Sequence, residues 1–156
     1  MTPVPHDSTP PMDVADALGH VVERFDHVSM AVRDPASLRP LLDLLGAAQV
    51  DGGFETASEF HWAQYDLPHW GRLEVISTES DDPEHFINRF IDDRGEGLHH
   101  LTFKVSDLAA SCDAARDAGY RVVGFDDSVD EWKEAFLHPA SSHGVLIQLA
   151  EFPDHA

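Results

Sequence analysis

The chain has 156 residues, with 29 Asp and Glu against 10 Lys and Arg; its formal charge is −19, and protonating all 11 histidines would bring it only to −8. With two lysines, Lys104 and Lys133, it lacks the basic stripe needed to neutralise phosphate or to dock on anionic lipid, which argues against nucleic acid and membrane as partners. A hydrophobic content of 42% supports a real core, and the single cysteine, Cys112, excludes an intrachain disulfide and a Cys-rich zinc site.

In chain order, Met1 to about His20 holds Pro3, Pro5, Pro10 and Pro11 and reads as a flexible arm (1–22), with one helical turn at Val14–Leu18. The start shows no basic region followed by an apolar run, and no stretch approaches the roughly 20 apolar residues of a membrane span, so a cytoplasmic protein is expected. Arg24–Val32 alternates as a strand. Asp34-Pro35 then opens a helix with Leu38, Leu41, Leu42 and Leu45 on one side, closed by Gly46. Extended segments follow at Ala48–Glu55, Ser58–Leu67 and Gly71–Thr78. Asp82-Pro83 opens a linking helix (83–94) striped by Phe86, Ile87, Phe90 and Ile91. The order then starts again: a strand at Leu98–Val105, a helix capped by Ser106 with Leu108, Cys112 and Ala115 inward, and strands at Tyr120–Phe125, Trp132–His138 and Val145–Phe152. The domain expected over 23–152 is therefore two βαβββ repeats, 23–80 and 97–152, with a short tail at 153–156.

The repeat concerns position more than identity. His27 and His100 each lie seven residues before an aspartate at a strand-to-helix junction, and the spacings His27 to Glu74 and His100 to Gln148 are 47 and 48. Alternation sets His27, Ser29 and Ala31 on one strand face and His100, Thr102 and Lys104 on another, each opposite an apolar set that packs on helices. Glu74 and Gln148 are polar interruptions in apolar strands, so two facing repeats bring His27, Glu74, His100 and Gln148 together. Two imidazoles, a carboxylate and an amide oxygen suit one divalent transition metal per chain (Co, Ni, Mn, Zn or Fe), with positions left for substrate oxygens. His99 is expected to face away from His100. His61, His69, His85, His138 and His143 read as surface or turn residues, and Cys112 as core.

This pattern resembles the vicinal-oxygen-chelate superfamily, which includes glyoxalase I, extradiol dioxygenases, fosfomycin-resistance proteins and methylmalonyl-CoA epimerase, and is nearest in pattern to the epimerases. The resemblance is carried by Phe25-Asp26-His27-Val28, Leu73-Glu74-Val75-Ile76, Arg94-Gly95-Glu96-Gly97-Leu98-His99-His100-Leu101, Ala135-Phe136-Leu137-His138-Pro139 and Gly144-Val145-Leu146-Ile147-Gln148-Leu149. It implies an α+β fold whose two repeats form a curved mixed sheet, and metal ligands at His27, Glu74, His100 and Gln148. One departure is Gln148, where the epimerase and glyoxalase patterns usually carry glutamate; an amide cannot take a proton at neutral pH. Some epimerases have a glutamate where Trp62 stands here, and the matching position of the second repeat is Glu134. Glu134 and Glu74 are the candidate bases; Glu134 alternatively pairs with Lys133 or Arg121 at the strand edge. Trp62, Gln64 and Phe136 are candidate substrate contacts, with plain core packing the alternative for Trp62.

The function implied is a metal-dependent isomerase or lyase that abstracts a proton next to a metal-chelated carbonyl. Its substrate would be a small molecule such as an acyl-CoA or another vicinal-oxygen compound, and a homodimer is expected by analogy. Two alternatives stay open: a non-catalytic small-molecule binding or resistance protein of the same fold, and an Fe(II)-dependent dioxygenase using His27, His100 and Glu74.

Overall fold

A computed structural model describes residues 21–69 and 71–154. Among these residues eight strands form one mixed sheet in the order β2-β3-β4-β1-β5-β8-β7-β6. They are β1 (Val22–Ala31), β2 (Ala48–Glu55), β3 (Phe60–Asp66), β4 (Arg72–Ser77), β5 (Gly97–Val105), β6 (Val122–Asp126), β7 (Lys133–Leu137) and β8 (Ile147–Glu151). The helices are α1 (Arg39–Leu44), entered through a 3-10 turn at Pro35–Leu38, then α2 (Phe86–Arg94) and α3 (Leu108–Asp117). The arm expected over 1–22, with its helical turn at Val14–Leu18, lies outside the described residues as far as residue 20, and β1 already begins at Val22.

The helix entries follow local hydrogen bonding. The Asp34 carboxylate accepts from Ala36 N at 3.0 Å, and Pro35 fits the first turn. The chain tightens into a 3-10 turn before α1, so of the expected leucine stripe Leu42 is buried while Leu41 and Leu45 are exposed. Asp82-Pro83 forms a turn closed by His85 N on Asp82 O (3.1 Å), and α2 starts only at Phe86, capped by the His85 ring accepting from Ile87 N. α3 is capped by Asp107, which accepts from Ala110 N at 2.8 Å, rather than by Ser106.

Each repeat crosses through a helix, which makes its first and last strands parallel neighbours. Ser29 lies opposite Glu74 across β1–β4, and Thr102 opposite Gln148 across β5–β8. The halves join where β1 runs antiparallel to β5, with His27 opposite Thr102 and Ser29 opposite His100. One pseudo-twofold axis therefore exchanges His27 with His100, Ser29 with Thr102 and Glu74 with Gln148. The outer pairings, Gln64 with Glu74 and Phe136 with Gln148, extend the exchange to Gln64 and Phe136, and one step along the strands it relates Trp62 to Glu134.

The second half buries Val105, Leu108, Cys112, Ala135, Leu137 and Leu149 beneath α3, on the face opposite Gln148. The first half has a cluster of Ala31, Ile76, Ile87 and Ile91. Ala31 and Ile76 share the face of His27 and Glu74, so α2 covers the far end of the histidine-bearing face rather than its back. Among the described residues no helix is long and apolar enough to cross a membrane.

Leu108 is 1% exposed in its cluster, whereas Leu44 is 81% exposed. Leu108→Ala is expected to cost about 2–5 kcal/mol in urea unfolding, and Leu44→Ala about 0.5 kcal/mol or less. Equal losses at the two sites would contradict this placement of the core.

Candidate metal centre

The central β1–β5 pair and the inner strand β4 bring three donors together. Nitrogens of His27 and His100 and a Glu74 carboxylate oxygen lie within 4.8 Å of one another, the one such His/Cys/Asp/Glu group found among the described residues. Glu74 Oε2 is 3.6 Å from His27 Nε2, and Oε1 is 3.9 Å from His100 Nε2. Ser29 donates to Glu74 Oε1 at 3.1 Å and Gln64 to Oε2 at 3.4 Å, which orients the carboxylate. Thr102, the counterpart of Ser29, accepts from His27 Nε2 at 3.0 Å and donates to Gln148 Oε1 at 2.6 Å. Gln148 Nε2 in turn donates to Glu134 Oε2 at 2.7 Å.

Burial and charge separate the two histidines. Burial acts to lower the pKa of His27, but its bond to Asp26 and the neighbouring Glu74 outweigh it, and the imidazolium persists to about pH 9. Glu74, also desolvated, is held below the usual carboxylate range by His27. His100 is pushed down to about 3, first by burial and then by His99, and His99 to about 4 by burial. His100 is thus a neutral base whose Nε2, facing Glu74, is the one fully buried polar side-chain atom without a hydrogen-bond partner among the described residues. An orphaned imidazole nitrogen beside a carboxylate and a second imidazole is a donor set that fits a divalent transition cation.

The remaining expected site residues fall around this cluster. Gln148 reaches it through Thr102. Glu134 pairs with neither Lys133 nor Arg121: Lys133 binds Glu151 at 3.0 Å, while Glu134 Oε2 accepts from Trp132 Nε1 at 2.8 Å and from Gln148. Burial pushes the Glu134 carboxyl above its ordinary range despite these two bonds. The Phe136 ring stands edge-on 6.3 Å from that of His100 and lies against Gly124, where a Cβ would come within 3.2 Å of it. Trp62 packs on the Ala31–Ile76 cluster and lies over Gly53, where a Cβ would meet its indole at 3.2 Å.

Sequence reasoning missed Asp26, Ser29 and Thr102 as partners of the site, and it sent His99 to the wrong side. His27 Nδ1 donates to Asp26 Oδ2 at 2.8 Å, and the Nδ1 atoms of His99 and His100 are 2.8 Å apart. His99 also packs on Phe86 and Phe90 of α2, on the histidine-bearing face. Plain alternation fails because the β1–β5 register shifts beside both histidines. The doubled His99-His100 was the available signal, since an unbroken strand would separate the two rings.

These ionisations fix a stability profile for the metal-free chain. Between about pH 6.5, the ordinary histidine value, and about 9 the folded state holds a proton on His27 that the unfolded chain has lost, so stability falls as pH rises through that window. Below pH 6.5 the unfolded chain takes protons that His99 and His100 refuse, so stability falls again towards acid. The urea midpoint should therefore peak near pH 6.5, and added divalent cation, competing for His27 Nε2, should flatten the alkaline side. A midpoint that does not change between pH 6.5 and 9 without metal would contradict the charged His27.

Comparisons with known proteins match this architecture. The pattern of the glyoxalase/bleomycin resistance protein/dioxygenase superfamily matches residues 26–136. The crystal structure of methylmalonyl-CoA epimerase from Mycobacterium tuberculosis superposes with a TM-score of 0.74 at 29% identity, over 86% of this chain and 91% of that one. The uncharacterised protein YqjC of Bacillus subtilis is 26% identical over 134 residues, 83% of this chain and 93% of its own length. The ethylmalonyl-CoA/methylmalonyl-CoA epimerase of Cereibacter sphaeroides is 33% identical over 58 residues, 35% of this chain and 43% of that protein. With the matched pattern spanning most of the domain and both halves of the histidine centre, the chain belongs to the glyoxalase/bleomycin resistance protein/dioxygenase superfamily.

Proposed function

We propose that the chain is a metal-dependent isomerase or lyase of the vicinal-oxygen-chelate type, most like methylmalonyl-CoA epimerase. The observation that carries this reading is the convergence of His27, Glu74 and the orphaned His100 Nε2, with a second carboxylate, Glu134, one residue beyond on the opposite half. His27, Glu74 and His100, with Gln148 as the fourth donor, would hold the cation. A divalent cation there supplies Lewis acidity towards two neighbouring substrate oxygens, such as a thioester carbonyl and a carboxylate.

The chain's own groups handle the proton. Both hydrogen bonds to Glu134 end on Oε2, which leaves Oε1 to take the proton from the carbon between those oxygens. A carboxylate whose pKa is raised by burial is a better base than an exposed one. Glu74, from the other half, is the alternative base, available once it leaves the cation as the substrate binds. It is ionised and carries no proton, so in an epimerisation the proton added to the opposite face comes from water and Glu134 gives its own back to solvent. Gln148 cannot act as a base at neutral pH, so beside the oxygen it offers the cation its part is to hold Glu134 through Nε2. Phe136, Gln64 and Trp62, on the same face of the sheet, would flank the substrate there. The substrate class, a 2-substituted malonyl-type thioester, is supported by the epimerases among the relatives.

A second reading has its own observation: two histidines and one carboxylate are also the donor set of non-haem Fe(II) dioxygenases. Proton exchange without oxygen separates the two. Loaded with cobalt under anaerobic conditions, the protein should hold about one cation per chain and wash deuterium from D2O into the α-position of methylmalonyl-CoA. Glu134→Gln should slow the exchange about 10²–10⁴-fold at unchanged metal content, and His100→Ala should lose the metal. Full exchange by Glu134→Gln removes it as the base; a substrate turned over only with Fe(II) and O2 favours the dioxygenase.

A further inference from the structure

The β1–β5 ladder is interrupted at three positions: once at Glu23, near the start of β1, and twice beside the histidines, at positions related by the pseudo-twofold axis. Phe25 pairs with Phe103 and His27 with Thr102, so Asp26 is an extra residue in β1. Ser29 pairs with His100 and Met30 with Leu98, so His99 is an extra residue in β5. A β-bulge re-aims the side chains beside it and leaves its extra residue outside the ladder. Both extra residues directly precede a histidine of the centre, and each reaches the Nδ1 of that histidine at 2.8 Å. Both are also fixed from behind: Asp26 Oδ1 meets Arg24 Nη2 at 3.3 Å, and the His99 ring lies 4.7 Å from that of Phe90 and 5.8 Å from that of Phe86. The same backbone irregularity with the same contact, once in each half, marks a device of the site, not an accident of one strand.

We propose that Asp26 and His99 are positioning residues that fix the tautomers of His27 and His100, each accepting the Nδ1 proton of the next residue so that both Nε2 lone pairs face Glu74. This rests on the metal-centre reading above. For His99 the consequence is specific: its Nδ1 is the acceptor, so its own proton sits on Nε2. The two supports are unequal by chemistry. A carboxylate behind His27 makes that imidazole the stronger donor, whereas a neutral imidazole behind His100 leaves it the weaker. The aromatic contacts of His99 also connect the orientation of His100 to α2, the helix that joins the repeats.

Zinc is the probe, and two readouts bear on the proposal. In the zinc-loaded wild type, 15N-resolved NMR of the histidine rings should show protonated Nδ1 on His27 and His100 and a bare Nδ1 on His99. This measurement needs no variant. In chelator competition, His99→Phe, which keeps a ring against Phe90 but has no acceptor, should weaken zinc binding about 10–100-fold, and Asp26→Leu at least as much. His99→Asn, whose amide oxygen can replace Nδ1, should stay within about threefold of wild type, since it keeps the hydrogen bond that orients the ligand. A proton on His99 Nδ1 in the loaded protein, or wild-type zinc affinity in His99→Phe, overturns the proposal and leaves the metal centre standing. A wild type that takes up no zinc, cobalt, nickel, manganese or iron removes the metal centre, and the proposal with it.

Discussion

The antiparallel pairing of β1 with β5 is the constraint on which the rest depends. It is the seam between the repeats, and its register sets His27 opposite Thr102 and Ser29 opposite His100. A slip of one residue would leave the two histidines on opposite faces of the sheet. Once that register holds, the parallel neighbours β4 and β8 deliver Glu74 and Gln148 to the same face without further adjustment. The apolar residues between the polar ones drive this arrangement. Val105, Leu149 and Ala135 pack under α3, and Val32 and Val75 are buried in the first half, so the intervening polar residues have only the other face available.

Within this symmetric frame the chemistry is asymmetric. The first half contributes a carboxylate, Glu74, held by Ser29 and Gln64; the second contributes an amide, Gln148, held by Thr102 and Glu134. Glu134 thus stands where the first half has Trp62. The balance is one carboxylate near each side of the centre, close to the cation donors in one half and one residue removed in the other. The two histidines differ in the same way, one charged beside Asp26 and the other neutral and without a partner on Nε2. Paired positions of one repeated scaffold thus carry different groups in the two halves.

Much of this was legible in the sequence because it depends on period and repetition. Alternation and the 47- and 48-residue spacings identify His27, Glu74, His100 and Gln148 without any contact information. Less was legible where the backbone leaves its period. The bulges at Asp26 and His99 break alternation, and nothing local announces them except the doubled histidine. Helix starts were also displaced, since Asp82-Pro83 and Ser106 carry capping chemistry that the chain spends on a turn and on a contact to Val21, leaving His85 and Asp107 as the caps. The position of α2 on the histidine-bearing face could not be read from its apolar stripe, which fits either face of the sheet equally well.

The central claim is that His27 and His100 converge on one cation. X-ray absorption of the cobalt- or zinc-loaded protein tests it most directly, because imidazole rings leave multiple-scattering features that carboxylates and water do not. The account predicts two imidazoles in a nitrogen/oxygen shell at about 2.0–2.2 Å. A shell of oxygens alone, or with a single imidazole, would contradict it.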